Sequence, residues 1–467
     1  MGDKVYRRYL QQWIDKLPVR RRVLDYVVSQ GVRAYLVGGT VRDALLGREC
    51  YDLDLAIAGR AMDLARLVAN EIHGAYVPLD AEHDVARVVV MASGREQHYD
   101  FAGLRGENIG ADLRARDFTV NAMALPVENG LGALIDPTGG RADLRAGLLR
   151  AVYADAFQDD PLRILRGVRL HGTLGLSLTP DTEALARSWA PMLEQVSAER
   201  IRDELAQVLG LDHAAEVLSY ATRLGVLGVV LPELGADPAL VDEGIQAVSS
   251  LERHLSPWIA AKPPADHSEE CPLQLLLGPY STSLADHWAE TLSSGRKRWL
   301  MLKLAALLSA IPTSPRAAPK VAHRLRFSSR EIRCLAAAIR GATWSAIWEA
   351  QADPEPLTIF RYYDSVGEAG IDGAALHVAI CLAHEDAEST RRGTCLNRAA
   401  RLIKAWFEER STLIEPPILL SGHDVMEALA IGRGPEVGEL LMRVREAQVQ
   451  GIVKTREEAI DYLRANC

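Results

Sequence analysis

Two aspartates, Asp52 and Asp54, flank Leu53 at the start of the apolar strand pattern of residues 53–57. Side chains two residues apart on a β-strand point to the same face, so both carboxylates project together while Leu53 points to a core. Neighbouring negative charges repel, and a fold tolerates them best when a cation lies between them. Carboxylates and phosphate oxygens are hard ligands that suit Mg²⁺. A lone aspartate pair at this spacing is more often two solvated acids, so the neighbouring sequence decides.

A glycine pair, Gly38-Gly39, lies between a short strand pattern and a helix pattern at 40–46. Glycine lets the backbone approach a ligand closely, and the start of a helix presents unbonded N–H groups. Arg42 is predicted on the first turn of that helix, where its guanidinium can meet a phosphate. Glycines after a strand are by themselves typical of an ordinary turn. Because this glycine pair comes shortly before the aspartate pair, the two together favour a site that binds both phosphate and metal.

A third carboxylate, Asp100, lies in a later strand pattern at 98–101. A turn at 93–94 separates this strand from another one predicted at 86–91. If Asp100 reaches the same edge as the aspartate pair, it could join the metal site. A surface carboxylate, or an ion-pair partner of Arg105, is an equally good interpretation.

The sequence lacks the signatures of several other classes of site. It has no GxxxxGK[ST] segment, which excludes a P-loop NTPase, and no GxGxxG after a strand, which leaves a dinucleotide site unsupported. It also has no GxSxG elbow and no HExxH helix. The six cysteines include no CxxC pair, and their spacing predicts neither a zinc site nor a disulfide framework. His323 and His423 also lack partners at metal-ligand spacing.

Strand and helix patterns alternate only in the first third of the chain, which predicts an α+β protein. The rest is predicted to be helical, apart from linkers or surface loops at 256–283 and 311–319. Thr455 and Glu458 have the spacing of a capping box near the C-terminus. The predicted domains are a helical extension, an α/β domain, and three helical segments, with the bounds 1–32, 33–143, 144–215, 216–415 and 416–467.

The 467-residue chain has 48% hydrophobic and 25% charged residues, as soluble globular proteins do. No apolar run approaches the roughly 20 residues of a membrane helix, and the N-terminus has no signal core. We therefore expect a cytoplasmic protein without a membrane partner. The formal net charge of −9 gives no average attraction for nucleic acid. A basic groove can lie on an acidic body, however, and arginines are concentrated at 141–169.

Five segments in order resemble the motifs of the class II tRNA nucleotidyltransferase and bacterial poly(A) polymerase family. They are residues 38–54, 114–124, 136–140, 159–169 and 197–205. The resemblance is strong over residues 33–215 and continues weakly through the C-terminal helices. It implies a polymerase-beta-like nucleotidyltransferase head, with a small mixed sheet and helices, followed by an all-helical neck, body and tail. It also implies addition of nucleotides to tRNA without a nucleic-acid template.

The resemblance implies a role for each motif residue of the head. Asp52 and Asp54 match the catalytic pair that binds metal, which would be Mg²⁺ in a two-metal mechanism. Gly38 and Gly39, with Arg42, would hold the triphosphate of the incoming nucleotide.

Two further motifs imply contacts to the sugar and base of the nucleotide. Arg116 and Asp117 match residues that contact the incoming nucleotide and its ribose, and 136–140 resembles an interdomain hinge. Asp160 and Arg163 match a pair on one helix that reads the Watson–Crick edge of the base. An arginine donates to the acceptors of cytosine, and a carboxylate accepts from its amino group.

Arg163, Arg166 and Arg169 recur at every third position, which places them on about a third of a helix circumference. By itself, such a stripe is typical of a solvated face with local acidic partners. After Asp159-Asp160, we predict that it contacts base and phosphates. The family usually has Glu-Asp at those two positions, and the shorter Asp159 keeps the charge but alters the reach.

Two departures from the family pattern refine the predicted function. Some relatives carry a His-Asp phosphohydrolase module, but here the expected pair near Ser309-Ala310 is absent, so no phosphohydrolase activity is predicted. Between Arg105 and Arg114 the chain has only residues 106–113. Full CCA-adding relatives usually have a longer flexible loop there, implicated in the switch from CTP to ATP. The short segment therefore favours an enzyme that adds only the two cytidines.

Other functions stay open at this point. Full CCA addition is the nearest alternative, followed by a poly(A) polymerase or A-adding enzyme; the acidic C-terminal segment 457–461 disfavours a poly(A) polymerase. A catalytically silent RNA-binding protein and a transferase acting on a small molecule represent other classes. The intact motif residues argue against the first, and the long helical region argues against the second. The predicted partners are CTP and ATP as substrates and the acceptor end and elbow of tRNA, with the oligomeric state left open.

Overall fold

The computed structural model describes residues 3–49, 52–92, 94–128, 130–235, 237–259, 276–349, 353–383 and 389–466. They form two compact units. The first contains residues 1–196 with 224–226, and the second contains residues 197–223 and 227–467. The boundary lies inside the segment 144–215 that the sequence assigns to one domain. The α+β class is confirmed, since a mixed sheet is confined to the first unit's N-terminal part and the second unit is mostly helical.

Two helices open the first unit, α1 (Asp3–Asp15) and α2 (Pro18–Ser29). Proline fits at the start of α2 because the N–H groups of a first turn have no intrahelical acceptor. The apolar residues that predicted these helices, among them Leu10 and Val23, are buried. Arg20 is buried with them, its guanidinium 3.9 Å from the centre of the Trp13 ring and donating to Gln97 at 2.9 Å. The structure therefore has the two helices that the apolar pattern predicted in this region.

A seven-stranded mixed sheet forms the centre of the first unit. Its strands are β1 (Ala34–Val37), β2 (Leu53–Ile57), β3 (Ala75–Asp80), β4 (Val85–Ala92), β5 (Arg95–Gly103), β6 (Ala124–Glu128) and β7 (Gly130–Leu131). Their order across the sheet is β3-β4-β5-β2-β1-β6-β7. β2 and β5 run parallel, and the other neighbours are antiparallel. This arrangement brings Asp54 of β2 beside Asp100 of β5.

The sequence analysis predicted β1, β2, β4 and β5. It did not predict β3 and β6, for different reasons. Five of the six residues of β3 are exposed, so its sequence carries no alternation of apolar and polar positions. β6 contains Pro126, a residue that argues against an interior strand because it cannot donate to the hydrogen-bond ladder.

Among the residues that the structure describes, seven further α-helices belong to the first unit. They are α3 (Gly38–Leu46), α4 (Ala61–Ile72), α5 (Ile109–Arg114), α6 (Gly140–Ala146), α7 (Ala156–Asp159), α8 (Leu162–Leu174) and α9 (Pro180–Trp189). A short parallel strand pair, β8 (Leu148–Leu149) and β9 (Ser177–Leu178), lies among them. α8 packs closely on Phe118, because a Cβ at Gly167 would lie 2.8 Å from the phenyl ring. Only glycine lets the helix approach that ring.

In its described part, the second unit is built from helices and one small hairpin. Its helices are α10 (Ala198–Leu209), α11 (Ala214–Arg223), α12 (Val226–Val230), α13 (Pro232–Gly235), α14 (Pro238–Ile259), α15 (Ser281–Ala289), α16 (Arg298–Ser309), α17 (Ser314–Arg324), α18 (Ser329–Ala342), α19 (Ser345–Trp348), α20 (Pro356–Val366), α21 (Gly370–Ala383), α22 (Ser389–Glu408), α23 (Gly422–Leu429), α24 (Pro435–Val449) and α25 (Arg456–Asn466). The hairpin is β10 (Thr291–Ser293) with β11 (Arg296–Lys297). α16 is buried along nearly its whole length and is the central helix of this unit. The predicted capping box is confirmed, since Thr455 Oγ1 accepts the Glu458 N–H at 3.2 Å.

One predicted linker is wrong. Residues 314–319 of the segment predicted as a loop at 311–319 belong to α17. Pro315 lies in the first turn, where a missing N–H is tolerated, and Pro319 one turn later removes a single backbone bond. Burial of the apolar face with Val321 against α18 outweighs that loss. Of the other predicted linker, residues 256–259 continue α14 and 281–283 begin α15, while 260–275 lie outside the described residues.

The stretch Pro356–Ala383 is long and apolar enough to cross a membrane by length and composition alone. In the structure it consists of α20 and α21, separated by a 3₁₀ turn at Gly367–Ala369. Its most apolar window is 61% buried inside the protein. A core helix of a globular unit passes the same test, and we interpret this stretch as the core of the second unit.

A buried ionic cluster joins α15, α16 and α21. Asp372 is fully buried and accepts from His287 Nε2 at 3.1 Å and from Arg298 Nη1 at 2.9 Å. Burial alone would lower the pKa of His287, but Asp372 and then Glu368 raise it to about 9. The imidazole is therefore charged at neutral pH, and one carboxylate holds two cations. This cluster is distinct from the His-Asp pair that the sequence lacks at 309–310.

We predict that Asp372→Asn destabilises the protein by up to about 3–5 kcal/mol at pH 7, because it leaves two buried cations with only the partly exposed Glu368 and Glu290 as counterions. The folded-state pKa of His287 lies above its unfolded value, so the stability it contributes is present below about pH 6.5 and is lost as pH rises through about 9. Urea unfolding at pH 6.5 and pH 10 measures both effects. Asp364→Asn, at an exposed site of α20, is the control. Equal stability of D372N and D364N would contradict the prediction.

Candidate active site

Three carboxylates lie together where β2 and β5 pair. The parallel register of these strands places Asp54 opposite Asp100. Asp52 lies one residue before β2, and its side chain is on the same face as Asp54 because the two are two positions apart. Asp100 accepts two hydrogen bonds from Arg87 on β4, at 2.7 and 2.8 Å. Arg87, rather than Arg105, is thus the partner of Asp100.

The pKa values of these acids reflect their crowding. Burial, followed by the charges of Asp100 and Asp52, raises the pKa of Asp54 to about 6. Burial also raises the pKa of Asp52, although His98, with Nδ1 3.5 Å from its Oδ1, lowers it. Raised carboxylate pKa values mean that protein groups compensate these negative charges only in part. Carboxylate oxygens are the ligands of hard cations, so this donor set fits Mg²⁺.

The glycine pair brings the backbone against the acids. α3 begins at Gly38, whose φ of 63° is a conformation that glycine adopts without strain. A Cβ at Gly38 would lie 3.4 Å from Asp54 Oδ2 and 3.3 Å from the Arg116 guanidinium. Thr40 ties the helix to β2, since its Oγ1 donates to the Asp52 carbonyl at 3.2 Å and accepts the Asp54 N–H at 3.0 Å.

Arg42 lies one turn further into α3 than the sequence predicted. The first-turn position is wrong because Gly38 and Gly39 already belong to the helix. The Arg42 guanidinium donates to Asp43 at 2.9 Å and to Asn121 Oδ1 at 2.7 Å. A Cβ at Gly39 would lie 3.5 Å from Arg42 Nη2, so the group stays beside the glycine pair.

Asn121 extends this contact into a polar chain that the sequence did not predict. Its amide donates to Asp117 Oδ1 at 3.1 Å, and Asp117 Oδ2 lies 2.9 Å from Arg166 Nε. Burial would raise the pKa of Asp117, but Arg166 and the N–H of Phe118 lower it overall. The charged carboxylate of Asp117 therefore connects Arg42 of α3, through Asn121, to Arg166 of α8.

Asp112 is a second residue that the sequence analysis missed. It is buried on α5, where its Oδ2 accepts from Arg116 Nε at 3.0 Å and its Oδ1 accepts the Arg105 N–H at 3.1 Å. Asn108 caps the same helix by accepting a first-turn N–H at 3.0 Å. The segment 106–113 is therefore held at both ends. The sequence did contain a signal for this role, since Asp112 is an acidic residue close to Arg114 and Arg116.

The predicted base-reading residues lie at the start of α8. Arg163 is on its first turn and donates to the Tyr153 hydroxyl at 2.9 Å. Asp160 is not on that helix, contrary to the prediction, because the residue before Pro161 is disfavoured from helical backbone angles. Asp160 instead has an extended backbone, and its carboxylate accepts the Leu162 N–H at 3.2 Å.

Tyr153 links Asp159 to Arg163, and the sequence analysis did not predict this role. Its hydroxyl donates to Asp159 Oδ2 at 2.6 Å while accepting from Arg163. The Arg166 side chain is 49% exposed, so its guanidinium is accessible although it pairs with an aspartate. Arg169 follows one turn later and is half-buried. The structure thus brings Asp159, Tyr153 and Arg163 into contact.

Residues 34–150 match the family model of the Poly A polymerase head domain, and residues 175–237 match that of the probable RNA and SrmB-binding site of polymerase A. A CC-adding tRNA nucleotidyltransferase from Geobacter sulfurreducens is 35% identical over 93% of this chain and 92% of its own. An A-adding tRNA nucleotidyltransferase from Deinococcus radiodurans is 32% identical over 92% and 95%, respectively. A CCA-adding enzyme solved with CTP shares the fold, with a TM-score of 0.67 at 21% identity over 98% of this chain and 97% of its own.

We predict that Asp54→Asn stabilises the metal-free protein at pH 8 by about 1–3 kcal/mol, since it removes a charge that burial and two neighbouring acids disfavour. The pKa of Asp54 is raised from its unfolded value, so the gain should shrink as pH falls through about 6. Thermal unfolding with a chelator, between pH 4 and 8, measures it. Glu107→Gln, at an exposed acid, serves as the control. A D54N protein less stable than the wild type at pH 8 would refute this account.

Proposed function

Because this chain belongs to the tRNA nucleotidyltransferase family, we propose that it adds CMP from CTP to the 3′ end of tRNA without a nucleic-acid template and stops after two cytidines. One observation carries the proposal. The acid cluster lies beside the glycine pair and Arg42, and the chain through Asn121 and Asp117 connects Arg42 to the helix of the base-reading arginine. Such a connection couples the position of the triphosphate to that of the base.

We propose that Asp52 and Asp54 hold Mg²⁺, with Asp100 as a further oxygen ligand. The raised pKa of Asp54 supports this, because burial and the charges of Asp100 and Asp52 disfavour its ionised form, and a bound cation would offset that charge. Bound magnesium would lower the pKa of the attacking 3′-hydroxyl of tRNA and neutralise the leaving pyrophosphate. Arg87 holds the Asp100 carboxylate in place from β4.

The triphosphate and ribose are proposed to lie between α3 and α5. Gly38 and Gly39 allow a phosphate to approach the backbone, and Arg42 offers its charge beside them. Arg116, oriented by Asp112, lies beside Gly38 and can neutralise the same phosphates. Asp117 can accept from a ribose hydroxyl, while Arg166 and Arg169 on α8 contact phosphates.

Base selection is proposed to rest on Arg163 and Asp160. The guanidinium donates to the acceptors of cytosine, and the carboxylate accepts from its amino group. The Tyr153 hydroxyl accepts from Arg163 and orients it, and Asp159 holds the same hydroxyl by accepting its hydrogen bond. Although Asp160 precedes the helix, its contact with the Leu162 N–H places the carboxylate at the same end of α8 as Arg163.

The segment 106–113 supports the restriction to two cytidines. It contains α5 with its cap, and Asp112 anchors it both to the Arg105 backbone and to Arg116. A segment held by hydrogen bonds at both ends has little freedom to rearrange a nucleotide pocket for ATP. Full CCA addition is the alternative, followed by A addition, which the similarity to an A-adding relative favours over polyadenylation.

The second unit is proposed to bind the body of tRNA, from the acceptor end to the elbow, in the cytoplasm. The match of residues 175–237 to an RNA-binding family model supports this assignment. The domain bounds given by the sequence, with a neck at 144–215 and a tail from 416, are retained as part of the proposal.

We predict that Arg163→Lys lowers kcat/KM for CTP by about 10- to 100-fold and weakens discrimination against other nucleotides. Lysine keeps the charge but loses the planar fork that makes two contacts with one base. Steady-state incorporation with each of the four nucleotides measures both quantities. Arg187→Lys, at a surface pair with Glu183 on α9, is the matched control and should be unaffected. Equal losses in R163K and R187K would contradict the assignment.

The number of nucleotides added tests the proposed function directly. We expect tRNA ending at the discriminator base to grow by two nucleotides with CTP, and to stop there when ATP is also supplied. Growth by three establishes CCA addition, and growth only of tRNA already ending in CC, with ATP alone, establishes A addition. Asp52→Ala with Asp54→Ala should abolish incorporation while tRNA binding in a gel shift persists. Incorporation by that variant would overturn the metal assignment.

A further inference from the structure

We propose that the second unit contains a zinc-type metal site formed by His377, Cys381 and Cys395, separate from the acid cluster. One ligand atom from each residue lies within 4.8 Å of the other two, which is the spacing that a single metal ion can bridge. His377 and Cys381 are four residues apart on α21 and therefore lie on one face of it. Cys395 comes from α22.

The histidine is oriented in the manner of a metal ligand. Its Nδ1 lies 2.8 Å from the carbonyl oxygen of Ala342, at the end of α18. A carbonyl can only accept, so Nδ1 carries a proton, and in the neutral imidazole the lone pair is on Nε2. Metal-binding histidines commonly make this backbone contact with the nitrogen that does not bind the metal.

The ring plane of His377 is held as well. The Trp348 indole stacks on the imidazole with 3.9 Å between ring centres and 8° between planes. Trp348 is fixed in turn, since its Nε1 donates to the Gly341 carbonyl at 2.7 Å and its own carbonyl accepts from Arg398 at 2.5 Å. Protein contacts therefore set the orientation of the imidazole, so little order would be lost on binding.

The donor set indicates the class of metal. Two sulfurs and one imidazole are soft to borderline ligands, which suit Zn²⁺ and disfavour Mg²⁺. Both cysteines are reduced thiols, and Cys395 is buried. Two thiolates would neutralise a divalent cation, and three protein ligands leave a fourth position for water. An ion bound there would join α21 to α22 and, through His377, to the end of α18.

Cobalt substitution tests this site on the full-length, reduced and chelator-treated protein. Co²⁺ bound by thiolates gives a sulfur-to-metal charge-transfer band that carboxylate ligands cannot give, so binding at the acid cluster does not interfere. We expect this band to saturate at one equivalent and to disappear when Zn²⁺ is added. Absence of the band in the reduced wild-type protein would overturn the proposal.

The variants Cys381→Ser and Cys395→Ser should weaken zinc binding by more than about 100-fold, since loss even of an outer contact costs about 10- to 100-fold. Cys334→Ser, at another thiol of the second unit, is the matched control and should keep the band. Zinc should raise the Tm of the wild type and of C334S but not of C381S or C395S, while CTP incorporation with magnesium confirms that all variants fold. A band that survives in the C381S and C395S double variant would refute the site, as would a disulfide between the two residues in protein purified anaerobically.

Discussion

The crowding of Asp52, Asp54 and Asp100 is the constraint on which the first unit depends. The parallel pairing of β2 and β5 fixes Asp54 opposite Asp100, and a slip by one residue would turn one of the carboxylates to the other face of the sheet. The protein offsets the repulsion only partly, for example through Arg87 on β4, which pairs with Asp100. Burial, followed by the charges of Asp100 and Asp52, raises the pKa of Asp54 to about 6. The fold thus retains an unfavourable charge arrangement that a bound cation would relieve.

The polar chain from α3 to α8 gives this site a second property. Arg42, Asn121, Asp117 and Arg166 each contact the next through an ionised or amide group, and the chain is largely buried at its centre. Buried polar networks hold their members in one arrangement because an unmade hydrogen bond is costly there. The distance between the glycine pair and the base-reading end of α8 is therefore set by side-chain contacts, in addition to the close packing of Gly167 on Phe118.

Sequence reasoning identified the elements whose signal is local. Alternating apolar residues and glycines located β1, β2 and α3, and motif order located Asp54, Asp117 and Arg163. The sequence did not predict β3, because that strand is exposed. It predicted a loop where α17 begins, because Pro315 and Pro319 disfavour a helix and the burial that compensates them is not visible in the sequence. Asn121 and Asp112 were missed for another reason. Their roles come from partners that only the fold brings close.

In the second unit, the pairing and register of the helices were still harder to predict from the sequence. Apolar helices such as α16 and α21 carry little periodic information, since they are buried on nearly all sides and could slide past their neighbours at small cost. A buried charge does not tolerate sliding, because a shift leaves it without its partners. Asp372, which lies between two cations, and Lys303, which contacts Glu252 at 2.7 Å, are such charges. We infer that these ions fix how α14, α15, α16 and α21 pair and in which register, and that they thereby set the position of His377 along α21.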